Sequence, residues 1–149
     1  MIIQSIGGVA AVYGFGGILG VPKKFLLWAG IDGGIGWFVY LLVGAITHSE
    51  LLGAFFGAAV ISIGANICAR VFKTPVTMIL IPANMTLVPG AGMYRIVYYI
   101  LYPQGEMASY YLQQTLLMAG MIAIAMFIVN IIWNSVTVSM KKRRDYHHA

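Results

Sequence analysis

The sequence predicts an all-α, polytopic integral membrane protein with about five transmembrane helices, and three observations predict this class. The first is that 60% of the 149 residues are hydrophobic, with a mean hydropathy of +0.87. The second is that only 9% are charged, whereas a soluble domain carries about 25%. The third is that these charges divide the chain into apolar segments of about 20 residues or more, the length that crosses a bilayer as a helix.

Five apolar segments follow one another, with short polar turns between them. Because the segments use almost the whole chain, we expect a single transmembrane domain over residues 1–149 and no soluble domain. The predicted spans are residues 2–20, 25–46, 51–69, 75–102 and 107–139, followed by a cytoplasmic basic tail at 140–149.

The first three segments are rich in glycine. The amino terminus lacks the positively charged start of a secretory signal, so residues 2–20 are predicted to be the first span. Each of the three segments contains two glycines four residues apart, a spacing that lets helix backbones approach closely. These pairs are Gly16 and Gly20, Gly30 and Gly34, and Gly53 and Gly57.

The fourth segment contains prolines at regular intervals. Pro75 suits a helix start, where its missing N–H would be unpaired in any case. Pro82 and Pro89 lie inside the segment, and each removes a helical hydrogen bond. Because Gly90 follows Pro89 directly, we expect the fourth helix to be broken at Pro82 and at Pro89-Gly90. The fifth segment, 107–139, is long for a span, so we expect it to tilt or to protrude.

The positions of the charges favour five crossings over a re-entrant fourth segment. With five crossings, every loop that carries Lys or Arg lies on one side, and Glu50 and Glu106 lie on the other. A re-entrant segment would put the basic tail opposite the other basic loops. Since positive loops stay in the cytoplasm, we predict that the N-terminus lies outside and the C-terminus inside.

Several functional classes are excluded by the same composition. Four of the nine Lys and Arg residues lie at 141–144, a basic run after an apolar segment that favours a membrane anchor over nucleic-acid binding. The single Cys68 excludes an internal disulfide and a CxxC site. No catalytic set or metal-ligand spacing is found, so we predict no enzyme, no metal and no cofactor.

The break in the fourth segment is the candidate binding site. Inside a bilayer, irregular backbone is tolerated where protein or a wet cavity satisfies it. A second half-helix beginning near Gly90–Gly92 would direct free N–H groups at an anionic group, and Arg95 lies one turn further on. Pro89, Gly90, Gly92 and Arg95 are therefore candidate residues for a carboxylate, with Asn84 between the two proline breaks added to them. The alternative is a kink that only shapes packing.

Asp32 and Arg95 are the only charges well inside the apolar segments. Each lies about 12 Å from the nearer turn at helical rise, so each is expected to face the protein interior. They could pair with each other as a structural ion pair. Alternatively, Asp32 could take a substrate ammonium group or a proton while Arg95 takes a carboxylate.

Several short motifs occur in a fairly specific order and spacing between Val21 and the basic tail. The motifs are Val21-Pro22 with Trp28, residues 33–37 (GGIGW), Ala69-Arg70 with Lys73 and Pro75, Ile81-Pro82, and Leu87-Val88-Pro89-Gly90. In these motifs the chain resembles the threonine/serine exporter family, and more specifically the small subunit of its split, two-gene form.

The resemblance implies a bacterial inner-membrane protein that exports small amino acids such as threonine and serine. Some split members are linked to succinate or related dicarboxylates. Fused members carry this module after another membrane module and a soluble region, so a larger partner subunit is expected. The resemblance assigns no role to Asp32, whose role rests on the physical argument alone. Because the sequence contains no nucleotide-binding motif, a proton gradient is the favoured energy source for transport. The alternative to a transporter subunit is a non-transporting scaffold subunit. Whether the chain also associates with copies of itself is left open.

Overall fold

The structure is a computed structural model that describes residues 2–101 and 105–146, with side chains from residue 3 to 101 and from 107 to 137. The described residues form helices and no strand, which confirms the all-α class. In chain order the helices are α1 (Ile2–Ile18), α2 (Lys23–Thr47), α3 (Glu50–Phe72), α4 (Thr77–Asn84), α5 (Gly90–Leu101) and α6 (Gly105–Tyr146).

Three of these helices are long and apolar enough to cross a membrane: α2, α3 and the Met107–Thr137 part of α6. Helix α1 is apolar but shorter, and the fourth predicted segment is divided between α4 and α5. The membrane class is therefore confirmed, and the count of five crossings stays a prediction.

Local conformations explain where the first helices end. Gly20, after α1, and His48, after α2, both adopt positive φ angles, 68° and 52°. The Ser49 side chain then accepts a hydrogen bond from the Leu52 amide (3.4 Å), which caps the start of α3. Lys73, also at positive φ (50°), ends α3. The α2–α3 connection is therefore a tight antiparallel turn.

Glycines bring α2 and α3 into backbone contact. A Cβ placed on Gly57 would lie 3.0 Å from the Gly36 carbonyl oxygen, and one on Gly53 would lie 2.7 Å from the Tyr40 carbonyl oxygen. Only glycine allows this approach without a shift of the backbone, so the predicted role of the Gly53 and Gly57 pair is confirmed.

The other two glycine pairs differ from each other. Gly30 and Gly34 face the Val9 side chain of α1, at 3.3 and 2.8 Å from their hypothetical Cβ atoms, so they form the α1–α2 contact. A Cβ placed on Gly16 would overlap the Leu26 side chain. A Cβ placed on Gly20 would have nothing within 4 Å, and Gly20 ends α1. The packing role predicted for the Gly16 and Gly20 pair is therefore wrong for Gly20.

Helix α6 crosses α3 through polar and aromatic contacts. The Asn66 amide donates to the Asn130 side-chain oxygen (3.3 Å). Arg70 donates to the Thr137 hydroxyl and lies over the Trp133 ring, 5.3 Å from its centroid. The end of α3 therefore lies beside the later part of α6.

Aromatic contacts place the start of α2 at this same end of the bundle. Phe72, at the end of α3, packs against Phe25 and Trp28, with ring centroids 5.9 and 5.4 Å away. The basic turns at 23–24 and 70–73 therefore lie at one end of the bundle, as the charge pattern predicts.

The fourth segment contains one break. Helix α4 ends at Asn84, α5 begins at Gly90, and turns join them, with the Leu87 amide donating to the Asn84 carbonyl (3.0 Å). Pro82 lies inside α4, two residues before its end, so the interruption covers residues 85–89. The helix is therefore not broken at Pro82 itself, although a break was predicted there. Pro82 lacks the one hydrogen bond that an N–H would donate to the Met78 carbonyl, and α4 continues past it to Asn84.

Helix α6 continues beyond the predicted span end at 139, as far as Tyr146. The side chains of the basic run 141–144 and of Glu106 lie outside the described residues, as do residues 102–104 of the fourth turn.

We expect Gly53→Ala to destabilise the bundle by about 1–3 kcal/mol, the usual cost of overpacking. The added Cβ would meet the Tyr40 carbonyl oxygen, a backbone atom that moves only if the helix moves. The measurement is the melting temperature of the detergent-purified protein. Gly120→Ala in α6 is the matched control, because a Cβ there has nothing within 4 Å. Equal melting temperatures for the two variants would contradict the expectation.

Candidate functional site

A cavity of about 420 Å³ lies where residues of four helices and of the α4–α5 break come together. One wall comes from α2 and the start of α3, and the other comes from α5 and the first part of α6. The break between α4 and α5 completes the lining. The lining residues are Trp37, Tyr40, Glu50, Leu51, residues 87–92, Arg95, Tyr111, Gln114, Thr115 and Met118.

The cavity exists because α5 packs on α6 instead of on the α2–α3 pair. Among the described helices α5 contacts only α6. Gly92 lies against the Thr115 side chain so closely that a Cβ would overlap its hydroxyl oxygen. One turn later the Arg95 guanidinium lies over the Tyr111 ring, 5.2 Å from its centroid. These contacts leave the face of α5 toward α2 and α3 without a helix packed against it.

Two charged side chains among the described residues line the cavity, Arg95 from α5 and Glu50 from the first turn of α3. In the part of the chain that the structure describes, no ion pair joins Glu50 to Arg95. Arg95 is exposed, and α5 contains no buried residue. Arg95 was expected to face the protein interior. It lines the cavity between the helices but stays exposed, because its helix touches the bundle on one side only.

The amino terminus of α5 belongs to the same lining. The Gly90 amide donates to the Val88 carbonyl (2.7 Å) and the Met93 amide to the Pro89 carbonyl (3.1 Å). The amides of Ala91 and Gly92, both lining residues, have no backbone acceptor among the described residues. First-turn amides of a helix are donors that can serve a bound anion.

Four of the six candidate residues from the sequence lie together in this lining: Pro89, Gly90, Gly92 and Arg95. Asn84 is not a lining residue. Its amide nitrogen lies 3.3 Å from the sulfur of Met126, a residue of α6. Its oxygen is buried and has no hydrogen-bond partner.

Asp32 lies apart from the cavity lining, buried between α2 and α3. Its side chain is 5% exposed, and its Oδ2 atom has no hydrogen-bond partner. The carboxylate occupies space that Gly64 leaves free, since a Cβ on Gly64 would overlap Oδ1. Within the described residues Asp32 forms no ion pair, so the predicted alternative of a structural Asp32–Arg95 pair is absent from this structure.

Sequence reasoning missed Glu50 and Trp37 as lining residues. Glu50 was assigned only to a polar turn, because the sequence does not indicate that this turn lies beside the break. Trp37 lines the cavity, and its Nε1 atom is buried without a partner. Thr115, which is 8% exposed, supplies a hydroxyl from the α6 wall. The one sequence feature that could have indicated Thr115 as a lining residue is that it is polar within an apolar segment.

The family comparison covers most of the chain. Residues 4–132 match the family model described as Threonine/Serine exporter, ThrE. The chain belongs to the threonine/serine exporter family. This confirms the resemblance to the family and extends it into α1, since the match begins well before Val21. No curated protein and no solved structure matches the chain. Membership in this exporter family, with three helices able to cross a membrane, makes the protein a membrane transporter of the amino-acid export type.

Proposed function

We propose that the chain is the membrane subunit of a secondary transporter that exports threonine, serine or related small carboxylates, and that the cavity is its substrate site. The observation that carries this proposal is the convergence of Arg95 and the free first-turn amides of α5 on one cavity. Family membership supports the transport class.

The Arg95 guanidinium and the free first-turn amides of α5 are both suited to binding a carboxylate. A guanidinium group binds a carboxylate through charge-assisted hydrogen bonds, and helix amino termini favour anions through their dipole and their free N–H groups. The volume of about 420 Å³ lies in the usual range for small-molecule sites, about 300–1,000 Å³. A small amino acid therefore fits by charge and by size.

We further propose that Asp32 carries the coupling proton. A charged carboxylate at this depth is costly when no cation pairs with it, and Asp32 has no ion-pair partner among the described residues. Protonation would remove that cost in one state of the transport cycle, while deprotonation would require water access in another. Its separation from the cavity lining gives the proton a site distinct from that of the substrate.

The proposed setting is a bacterial inner membrane, with the N-terminus outside, the C-terminus cytoplasmic and a larger subunit of the same family as partner. The clustering of the basic turns at 23–24 and 70–73 at one end of the bundle supports this orientation. Helix α5 has no buried residue, so it offers a face to lipid, to that partner or to a second copy of this chain.

Reconstitution tests the transport function. We expect vesicles containing this chain with its larger partner subunit to take up labelled threonine and serine when a proton gradient is imposed. The comparison is uptake with and without this chain, and labelled succinate is included in parallel. Uptake of none of the three substrates would contradict the proposal. Unchanged uptake without this chain would favour the scaffold alternative.

Arg95→Gln is expected to lower the apparent affinity for threonine by about tenfold or more, because a hydrogen bond to a charged group contributes about 1.5–3 kcal/mol. The measurement is the concentration dependence of threonine uptake. Lys23→Gln removes one positive charge at the start of α2 and serves as the matched control. An affinity in Arg95→Gln equal to that of Lys23→Gln would remove Arg95 from the site.

Asp32→Asn is expected to abolish gradient-driven threonine uptake while the protein still inserts and folds. Exchange of labelled for unlabelled threonine should persist, because exchange needs no net proton movement. Asp145→Asn, which makes the same change in the tail, should behave like the unmodified protein. Gradient-driven uptake at the unmodified rate in Asp32→Asn would exclude Asp32 from coupling.

A further inference from the structure

We infer that Glu50 binds the ammonium group of the substrate, so that the cavity selects zwitterionic amino acids over dicarboxylates. The inference rests on the proposed function, since it requires the cavity to be the substrate site. It goes further by naming the second charged contact and the chemical class of substrate that the two contacts together accept.

The charges in the lining are balanced. Among the residues whose side chains the structure describes, Arg95 is the one cationic residue of the lining and Glu50 the one anionic residue. They come from separate helices, α5 and α3, and no ion pair joins them in the described chain. A zwitterion places one charge against each of these groups. The inference places the carboxylate of a small amino acid at Arg95 and its ammonium group at Glu50, in a cavity whose volume of about 420 Å³ can hold the molecule.

A dicarboxylate meets a different environment. If Arg95 and the start of α5 hold one carboxylate, the second carboxylate lies in a cavity whose other charged group is also negative. Like charges brought together in this way disfavour binding and provide specificity. A hydroxy acid without the ammonium group avoids repulsion but leaves Glu50 without a partner.

Glu50 also has a simpler role as an acidic residue in the first turn of α3, where it complements the helix dipole. That role makes a different prediction from substrate binding. Loss of the dipole interaction lowers thermal stability without changing which ligands bind. Loss of an ammonium contact changes the preference among ligands that differ only in that group.

The experiment uses Trp37 as the reporter, because this residue lines the cavity. Trp28→Phe and Trp133→Phe leave Trp37 as the one tryptophan of the full-length chain. The fluorescence of this protein is titrated with threonine, with 3-hydroxybutyrate, which is threonine without its amine, and with succinate. We expect threonine to bind about tenfold or more tightly than either acid, as the loss of a charged hydrogen bond predicts.

In the same background, Glu50→Gln should remove the preference for threonine over 3-hydroxybutyrate by weakening threonine binding. Glu50→Asp keeps the charge and should retain part of the preference. Melting temperatures are recorded for each variant. A full preference in folded Glu50→Gln would overturn the inference and leave the proposed function standing.

A second measurement does not depend on any variant at position 50. Unlabelled succinate and 3-hydroxybutyrate are tested as competitors of labelled threonine uptake by the unmodified transporter. We expect weak competition from both. Competition by succinate as strong as that by unlabelled threonine would overturn the inference even if Glu50→Gln fails to fold. Failure of the unmodified transporter to take up threonine, serine or succinate would instead overturn the proposed function.

Discussion

The close contact between the backbones of α2 and α3 is the constraint on which the rest of the structure depends. Lipid is as apolar as the helix surfaces, so helices in a membrane associate through close packing more than through hydrophobic burial. Gly36, Gly53 and Gly57 provide that packing, with carbonyl oxygens where side chains would otherwise stand. Helices α1, α4 and α6 all pack against this pair. The same geometry leaves space at Gly64 that the buried Asp32 carboxylate occupies.

The cavity follows from a second constraint, the interruption between α4 and α5. A continuous helix would have carried residues 90–101 along the axis of α4, which packs against α2 and α3. The turns at 85–89 instead let α5 pack on α6 alone, where Gly92 fits against Thr115 and Arg95 lies over Tyr111. The break thus creates both the space and the free helix amino terminus that lines it.

Much of this architecture could be predicted from local patterns. The helical class, the approximate limits of the helices and the break near Pro89-Gly90 follow from hydropathy and from proline chemistry, which act over a few residues. The glycine pairs at 53 and 57 and at 30 and 34 were predicted to pack closely, and they do. Gly20 was misassigned because the four-residue spacing does not distinguish a packing glycine from one that ends a helix at positive φ.

The sequence by itself determined the membrane class, the family resemblance, the interrupted fourth segment and the candidates Pro89, Gly90, Gly92 and Arg95. These depend on composition and on neighbours in the chain. Only the tertiary structure decided that Glu50 and Trp37 share a cavity with Arg95, that Arg95 is exposed, and that Asp32 lies apart from it against Gly64. The physical reason is that contacts between distant segments depend on how helices rotate and cross, which hydropathy and charge spacing along one chain do not specify.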